Sequence, residues 1–336
     1  MIDLSIIVPV YNAEKYLTSC VESILLSYSK IENFSIEILF VNDGSKDSSI
    51  DILKALEKKH SFIRIIDKKN EGVSVARNIA LDSIQGDHVW MIDSDDLIHP
   101  DSLQLISEML KVRDTDIIHF GYSQEVDVGV LKSYNLDDKY LNVDSVDGIS
   151  FLKSNDGRLY LWTNIYSMSY LTEHNIRFKG ELRSLEDSLF NIQAFVKAKK
   201  VSFIPQLLYT YCYNPNSISR DHSLDKLIML KNSTLNVHDE LLFILKNIKK
   251  LDSDEFKVVK LKLDKSVLGF FYSLIALSYP ISIVKDSLES YELKKLYPLK
   301  FRTDSFKAEL FKRCLNVKWF FLMLCKFKLL LMRYKT

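Results

Sequence analysis

The chain has 336 residues, 45 Lys and Arg against 44 Asp and Glu, and a formal net charge of +1. With 47% hydrophobic residues, 9 Gly and 6 Pro, it is neither collagen-like nor wholly disordered, and the balanced charge argues against a nucleic-acid binder. The length allows one large domain or two of moderate size, with ample room for a core.

The first hundred residues alternate between two periods. Leu4–Val10 is a nearly continuous apolar run, as expected of a strand buried on both faces. Residues 13–30 then place Leu17, Val21, Ile24, Leu25 and Tyr28 at helical spacing. Ile36–Val41 predicts a second strand and Ser48–Lys59 a second helix. Phe62–Ile66 predicts a third strand, Gly72–Ile84 a third helix and His88–Ile92 a fourth strand. This alternation implies right-handed crossovers and an α/β fold, with a mostly parallel sheet flanked by helices on both sides. From 113 to 215 the alternation ceases. Asp116–Tyr122 reads as a strand, 123–143 as a hairpin, 146–171 and 187–198 as helices, and Lys200–Tyr213 as an extended return. Residues 216–336 read almost entirely as helices, interrupted at Pro280 and Pro298. The expected division is a catalytic domain over 1–215, with halves 1–112 and 113–215, followed by a helical region over 216–336.

Ligands of such sheets sit beyond the carboxyl ends of the strands. Those ends carry Tyr11-Asn12, Asn42-Asp43-Gly44-Ser45, Asp67–Glu71 and Asp93-Ser94-Asp95-Asp96. Asp93, Asp95 and Asp96 would repel one another unless a cation lies among them, and oxygen ligands suit Mg²⁺ or Mn²⁺. A polar turn or helix cap would use the same residues. Asp43 could accept a hydrogen bond from the N–H edge of a uracil, or simply turn a strand into a helix. Gly72 stands at a helix start with Arg77 beyond it, and both features attract anions.

Together, Ser5–Asn12 (SIIVPVYN), Phe40–Ser45 (FVNDGS), Asn70–Asn78 (NEGVSVARN) and Met91–Asp96 (MIDSDD) closely resemble family 2 glycosyltransferases of the nucleotide-diphosphosugar (GT-A) fold. A weaker match continues through Glu186-Asp187 to about Arg220. The resemblance implies that Pro9 and Tyr11 line a nucleotide pocket and that Asp43 binds uracil with Arg77 assisting. It also puts Asp93, with Ser94 beside it, near the ribose, and has Asp95 ligate the Mn²⁺ or Mg²⁺ ion. Asp96 would tune the metal or contact the sugar and diphosphate. The family commonly draws its base from a Glu-Asp pair at a helix start, which points to Asp187, with Glu186 as the alternative; helix capping would use the same residues. Trp162 is a candidate sugar platform or a core residue. Arg220 and His222 lie in a polar segment that would fold over the diphosphate, His222 as a further metal ligand.

The balanced charge hides a gradient. Residues 1–110 carry 10 basic and 18 acidic side chains, net −8, whereas residues 216–336 carry 23 and 13, net +10. Residues 311–336 hold seven cations and no acids, interleaved with aromatic and aliphatic side chains. On a helical wheel both kinds spread nearly all round, so a packed terminal helix competes with peripheral attachment to an anionic membrane surface. The four cysteines lack C-x-x-C spacing and read as reduced thiols. No basic leader and no long uncharged apolar window is apparent, so a cytoplasmic location, at the inner face of the membrane, is expected. The expected activity is inverting transfer from a UDP-sugar to a glycan acceptor, free or lipid-linked, in bacterial capsule, lipopolysaccharide or wall polysaccharide synthesis. Expected partners are that donor and acceptor and a second copy of the chain in a homo-oligomer, without nucleic acid. A different nucleotide sugar, or a non-catalytic nucleotide-sugar scaffold, are the alternatives.

Overall fold

The computed structural model describes residues 2–125, 131–134, 144–155, 159–214, 223–303 and 305–333. It divides into two compact units, Met1–Ser217 and Ile218–Thr336.

The first unit is built on a nine-stranded sheet. Four parallel strands come first: β1 (Ile2–Val10), β2 (Ile36–Asp43), β3 (Ile63–Lys68) and β4 (Gly86–Met91). They stand in the order β3-β2-β1-β4. Between them run α1 (Leu17–Tyr28), α2 (Ser49–Lys59) and α3 (Val73–Ser83). Alternation along β1 sends Leu4, Ile6, Val8 and Val10 into a core with Leu17, Val21 and Ile24 of α1 and Leu53 of α2. α3 packs against β1 and β2 through buried Ala76 and Ala80. With helices on both faces every residue of β2 is buried, which is why these strands read as unbroken apolar runs. Pro9 is tolerated because it lies beyond the last β4 partner of β1 and pairs only with Val41 of β2.

The sheet continues with β8 (Asn164–Ser167), antiparallel to both β4 and β6 (Ile117–Glu125). β9 (Val201–Tyr211) runs parallel to β6, and the short β5 (Leu97–Ile98) closes that edge against β9. β7 (Leu131–Tyr134) makes a hairpin with β6. Residues 146–171 are not the helix that their spacing predicts. They break into α5 (Gly148–Ser154), a single 3₁₀ turn at Leu161–Thr163, β8, and α6 (Met168–Glu173). The reason is tertiary: Asn164-Ile165-Tyr166 fills the slot between β4 and β6, and pairing on both edges overrides local helical preference. The buried Asn164 and Tyr166 side chains are satisfied through Asn191 of α7 (Glu186–Lys197). α4 (Ser102–Val112) completes the unit.

The second unit consists of α8 (Leu224–Asn247), α9 (Asp254–Ala276), α10 (Ile281–Leu293), α11 (Phe306–Asn316) and α12 (Lys318–Arg333). Ser253 and Ser305 cap α9 and α11 by accepting from the Phe256 and Ala308 amides. Pro280 precedes the first turn of α10, where its missing N–H costs nothing. Among the described residues no helix is long and apolar enough to cross a membrane.

One buried polar junction ties α8, α9 and α10 together. His238 Nδ1 lies 2.6 Å from the Tyr291 hydroxyl and Nε2 lies 2.7 Å from the Ser266 hydroxyl. Burial, reinforced by Lys294, pushes the His238 pKa down to about 3. The folded unit therefore excludes a proton that the unfolded chain accepts near 6.5. Linkage then makes stability fall as pH drops below 6.5, by about 3 kcal/mol at pH 4 from this group. His238→Gln should be less stable than wild type at pH 7 but lose less between pH 7 and 4, as read by urea unfolding followed through helix circular dichroism.

Candidate active site

The carboxyl ends of β1 to β4 form one polar rim, and hydrogen bonds between loops hold it together. Asn12, in a left-handed conformation, donates its amide to Ser45 Oγ at 3.0 Å and accepts from the Lys46 amide at 2.8 Å. The Ala13 amide reaches Ser49 Oγ at 2.9 Å. These bonds leave Tyr11 projecting, 47% exposed, with half-buried Pro9 behind it.

Asp43 is buried at the end of β2. It accepts from Lys68 Nζ at 2.6 Å and from the Glu71 and Gly72 amides at 2.9 and 2.8 Å. Its carboxylate thereby folds the β3–α3 loop over the end of β2. Two positive-φ glycines make that approach feasible. A Cβ on Gly44 would lie 2.7 Å from the Asn70 amide, and one on Gly72 would strike the Arg183 guanidinium.

The acidic cluster after β4 is divided among separate partners. Asp93 Oδ1 accepts from Arg77 Nη2 at 2.9 Å. Asp95 accepts from Asn214 Nδ2 at 2.7 Å, and Asn214 accepts in turn from the Tyr16 hydroxyl. Burial, with Asp93 adding, raises the Asp95 pKa. Asp96 turns inward. One oxygen accepts from the Tyr209 hydroxyl at 2.6 Å and the other from the Cys212 amide at 2.8 Å. The Asp96 carboxyl is buried and anchors β9. Burial and the neighbouring Asp93 and Asp95 charges push its pKa well up. Ser94 is half-buried between its acidic neighbours.

Arg77 joins this cluster to α7. Its side chain is 6% exposed, with Nη1 2.8 Å from Glu186 Oε1 and Nη2 on Asp93, and its guanidinium lies 5.5 Å from the Phe178 ring centroid. Burial opposes the charge, but Asp93, Glu186 and Asp187 outweigh it and raise the Arg77 pKa. Arg77 is thus paired with two protein carboxylates. Glu186 and Asp187 open α7 directly after Leu185, a leucine at φ 63°. Such a left-handed residue costs about 1–3 kcal/mol and turns the helix start abruptly. Asp187 accepts from the Ser188 amide at 2.6 Å. Burial, with Glu186 second, pushes its pKa up to about 7.

Trp162 is a core residue. It is 6% exposed and stacks on Tyr160 and Tyr209 at centroid distances of 4.6 and 4.5 Å. Of the two expectations for Trp162, its burial matches the core residue. Arg220 and His222 lie outside the described residues. Sequence reasoning missed Asn214 and Tyr209, the partners of Asp95 and Asp96; their signal was only a polar and an aromatic residue at the end of an extended run.

Among the described residues no group of three or more His, Cys, Asp or Glu side chains is arranged around a common point as metal ligands. The donor set at Asp95 nevertheless fits a hard divalent cation. Its ligand atom is a carboxylate oxygen, oriented by Asn214 beside Asp93, and substrate phosphates and water are the usual remaining ligands of such ions.

Residues 5–166 match the model of glycosyl transferase family 2. The chain is 32% identical over 220 residues to the putative glycosyltransferase EpsH of Bacillus subtilis, a match covering 64% of this chain and 62% of EpsH. It is 27% identical over 212 residues to the poly(ribitol-phosphate) beta-N-acetylglucosaminyltransferase TarS of Staphylococcus aureus, covering 63% of this chain and 35% of TarS. The crystal structure of TarS 1–349 in complex with UDP superposes with a TM-score of 0.65 at 18% identity, covering 100% of this chain and 92% of that one. The fold is therefore GT-A.

Breaking the Arg77 clamp should be costly, since it strands two carboxylates against a protein wall. Arg77→Gln is expected to destabilise the chain by about 3 kcal/mol. Arg77→Lys, which keeps the charge but loses the two-pronged geometry, should recover part of that, as measured by denaturant unfolding.

Proposed function

The chain belongs to glycosyl transferase family 2 through its residues 5–166, and from that premise we propose that it transfers a sugar from a UDP-sugar to a glycan acceptor with inversion at the anomeric carbon. The chain spans about three fifths of EpsH, 62% of its length, so the activity, substrates and setting are our reading of the site. The observation that carries it is the Arg77 clamp. One guanidinium pairs with Asp93, at the end of the sheet that would receive the nucleotide, and with Glu186, beside the candidate base. Donor side and acceptor side are thereby brought to one point.

In this reading Pro9, Tyr11 and Ser94 line the nucleotide pocket, with Asp93 near the ribose. Asp43 shapes that pocket by holding Gly72 and leaves its outer edge to the uracil. Asp95, steadied by Asn214, would hold a Mn²⁺ or Mg²⁺ ion that neutralises charge developing on the UDP leaving group. Asp187 takes the proton from the acceptor hydroxyl as that oxygen forms its bond to the anomeric carbon. The bond to the UDP oxygen breaks on the opposite face, which inverts the centre. A carboxylate with a pKa near 7 is matched to this task, because it is basic enough to accept the proton and still substantially ionised at neutral pH. Arg77 keeps Glu186 and Asp187 from repelling each other out of the site.

TarS is named for N-acetylglucosamine transfer to poly(ribitol-phosphate), which supports a cell-surface polymer as acceptor and a hexose or N-acetylhexosamine as the transferred sugar. The proposed place of action is the cytoplasmic side of a bacterial membrane, where UDP-sugars are made.

UDP release should be screened with UDP-glucose, UDP-galactose, UDP-N-acetylglucosamine and UDP-N-acetylgalactosamine, with and without Mn²⁺. One donor should stand out and chelation should abolish turnover; no release from any of them would reject the reading in favour of a pure binder. Because Asp187 must be ionised to act and its pKa is raised to about 7, transfer should fall as pH drops below 7 and level off above it. Asp187→Asn should lower turnover by at least about 100-fold with UDP-sugar affinity nearly unchanged. Loss of binding instead would remove Asp187 from the role of base.

A further inference from the structure

α12 (Lys318–Arg333) has two dissimilar faces. Phe321 and Cys325 are buried against the rest of the helical unit. On the other side Trp319, Met323, Phe327, Leu330 and Leu331 are exposed, Trp319 to 68% and Phe327 to 59%. Counted from Trp319 they fall at i, i+4, i+8, i+11 and i+12, one continuous stripe on a helix. Large apolar side chains scattered singly on a surface need no explanation, but five in one stripe do. The helical wheel missed this arrangement because it weighs all apolar residues alike, whereas packing withdraws some of them.

Charge narrows what can cover the stripe. From Leu310 to Thr336 the sequence contains no acid, and seven cations lie between Lys312 and Lys335. Lys326 is exposed along the edge of the apolar stripe, and Lys318 is exposed at the start of the helix. A second copy of the same face would bring Lys326 against Lys326 with no carboxylate on α12 to compensate. The 16 described residues of α12 span only about 24 Å, short of the ~30 Å hydrocarbon core. What suits exposed Trp, Phe and Leu interleaved with Lys is the boundary between acyl chains and anionic headgroups.

We propose that α12 lies in the plane of an anionic membrane surface, with the Trp319–Phe327–Leu330 stripe inserted and Lys326 on lipid phosphate. The test uses the full chain with vesicles of phosphatidylcholine alone or mixed with phosphatidylglycerol, read by co-sedimentation and by tryptophan emission. Trp90 and Trp162 are buried, so a blue shift reports on Trp319, the remaining tryptophan. Binding should require phosphatidylglycerol and weaken with salt. It should fall at least about tenfold in Trp319→Ser/Phe327→Ser, which leaves the buried face intact, and by a similar factor in Lys326→Glu. UDP release without vesicles should match wild type in both variants, as a check on folding. Equal binding to neutral and anionic vesicles, or none to either, would overturn the proposal. So would a chain that ignores vesicles but self-associates until Trp319→Ser/Phe327→Ser makes it monomeric, since that outcome assigns the stripe to a second copy.

Discussion

Arg77 carries a full charge into a place where only 6% of its side chain meets water, and three carboxylates, those of Asp93, Glu186 and Asp187, keep it there. Moving a guanidinium out of water costs several kcal/mol, which its attraction to carboxylates returns only if the geometry is close to ideal. Two contacts of 2.8 and 2.9 Å from separate nitrogens supply most of that return, while Arg77 Nε is buried without a partner among the described residues. They also constrain the chain: Asp93 follows β4 and Glu186 opens α7, so the clamp joins segments about ninety residues apart. The Leu185 backbone, held at φ 63°, is a conformation that a leucine keeps only where its surroundings demand it, and the clamp is part of that demand.

The acidic residues around the clamp solve a repulsion problem by being assigned different partners. Asp93 has an arginine, Asp95 an amide, and Asp96 a phenol with a backbone N–H. Asp43 has a lysine and two backbone N–H groups. The consequences differ. A carboxylate satisfied by inward-facing donors, as Asp96 is, becomes structure and is lost to a substrate. One held on a single side by a neutral amide, as Asp95 is, is less fully engaged. The same motif of four residues thus contains a buried anchor and a more open carboxylate, and their spacing alone does not distinguish them.

That distinction marks how far the sequence could be read. The parallel half of the sheet was legible because β1 and β2 are largely buried on both faces and, like the edge strand β3 and β4, stand as short apolar runs between helical periods. β8 was not: Asn164-Ile165-Tyr166 has no strand-length run of its own and becomes a strand only because β4 and β6 leave a gap of matching width. Trp162 was equally opaque, since whether an aromatic ring is platform or core depends on Tyr209, which comes from β9, as well as on neighbouring Tyr160. The placement of Glu186 and Asp187 at a helix start was readable, but their link to Arg77, 109 residues away in the case of Glu186, was not. Short-range patterns identify which residues could react; long-range packing decides which of them face a substrate.

The same reasoning changes the meaning of the charge gradient. In the first third the carboxylates of the site are held within their own unit by Arg77, Lys68, Tyr209 and Asn214, but both cations are already counted in the net −8. In the last third Lys312 is buried on Glu309, Lys318 pairs with Glu292, and Lys260 pairs with Asp264, pairs that leave the net +10 unchanged. Lys326 and Lys328 have no ion pair among the described residues, and they sit on the helix whose outer face is apolar. A formal net charge of +1 therefore describes neither end of the molecule. The net −8 and +10 of the two ends survive internal pairing, so the ends differ in where their charges are placed as well as in their sign.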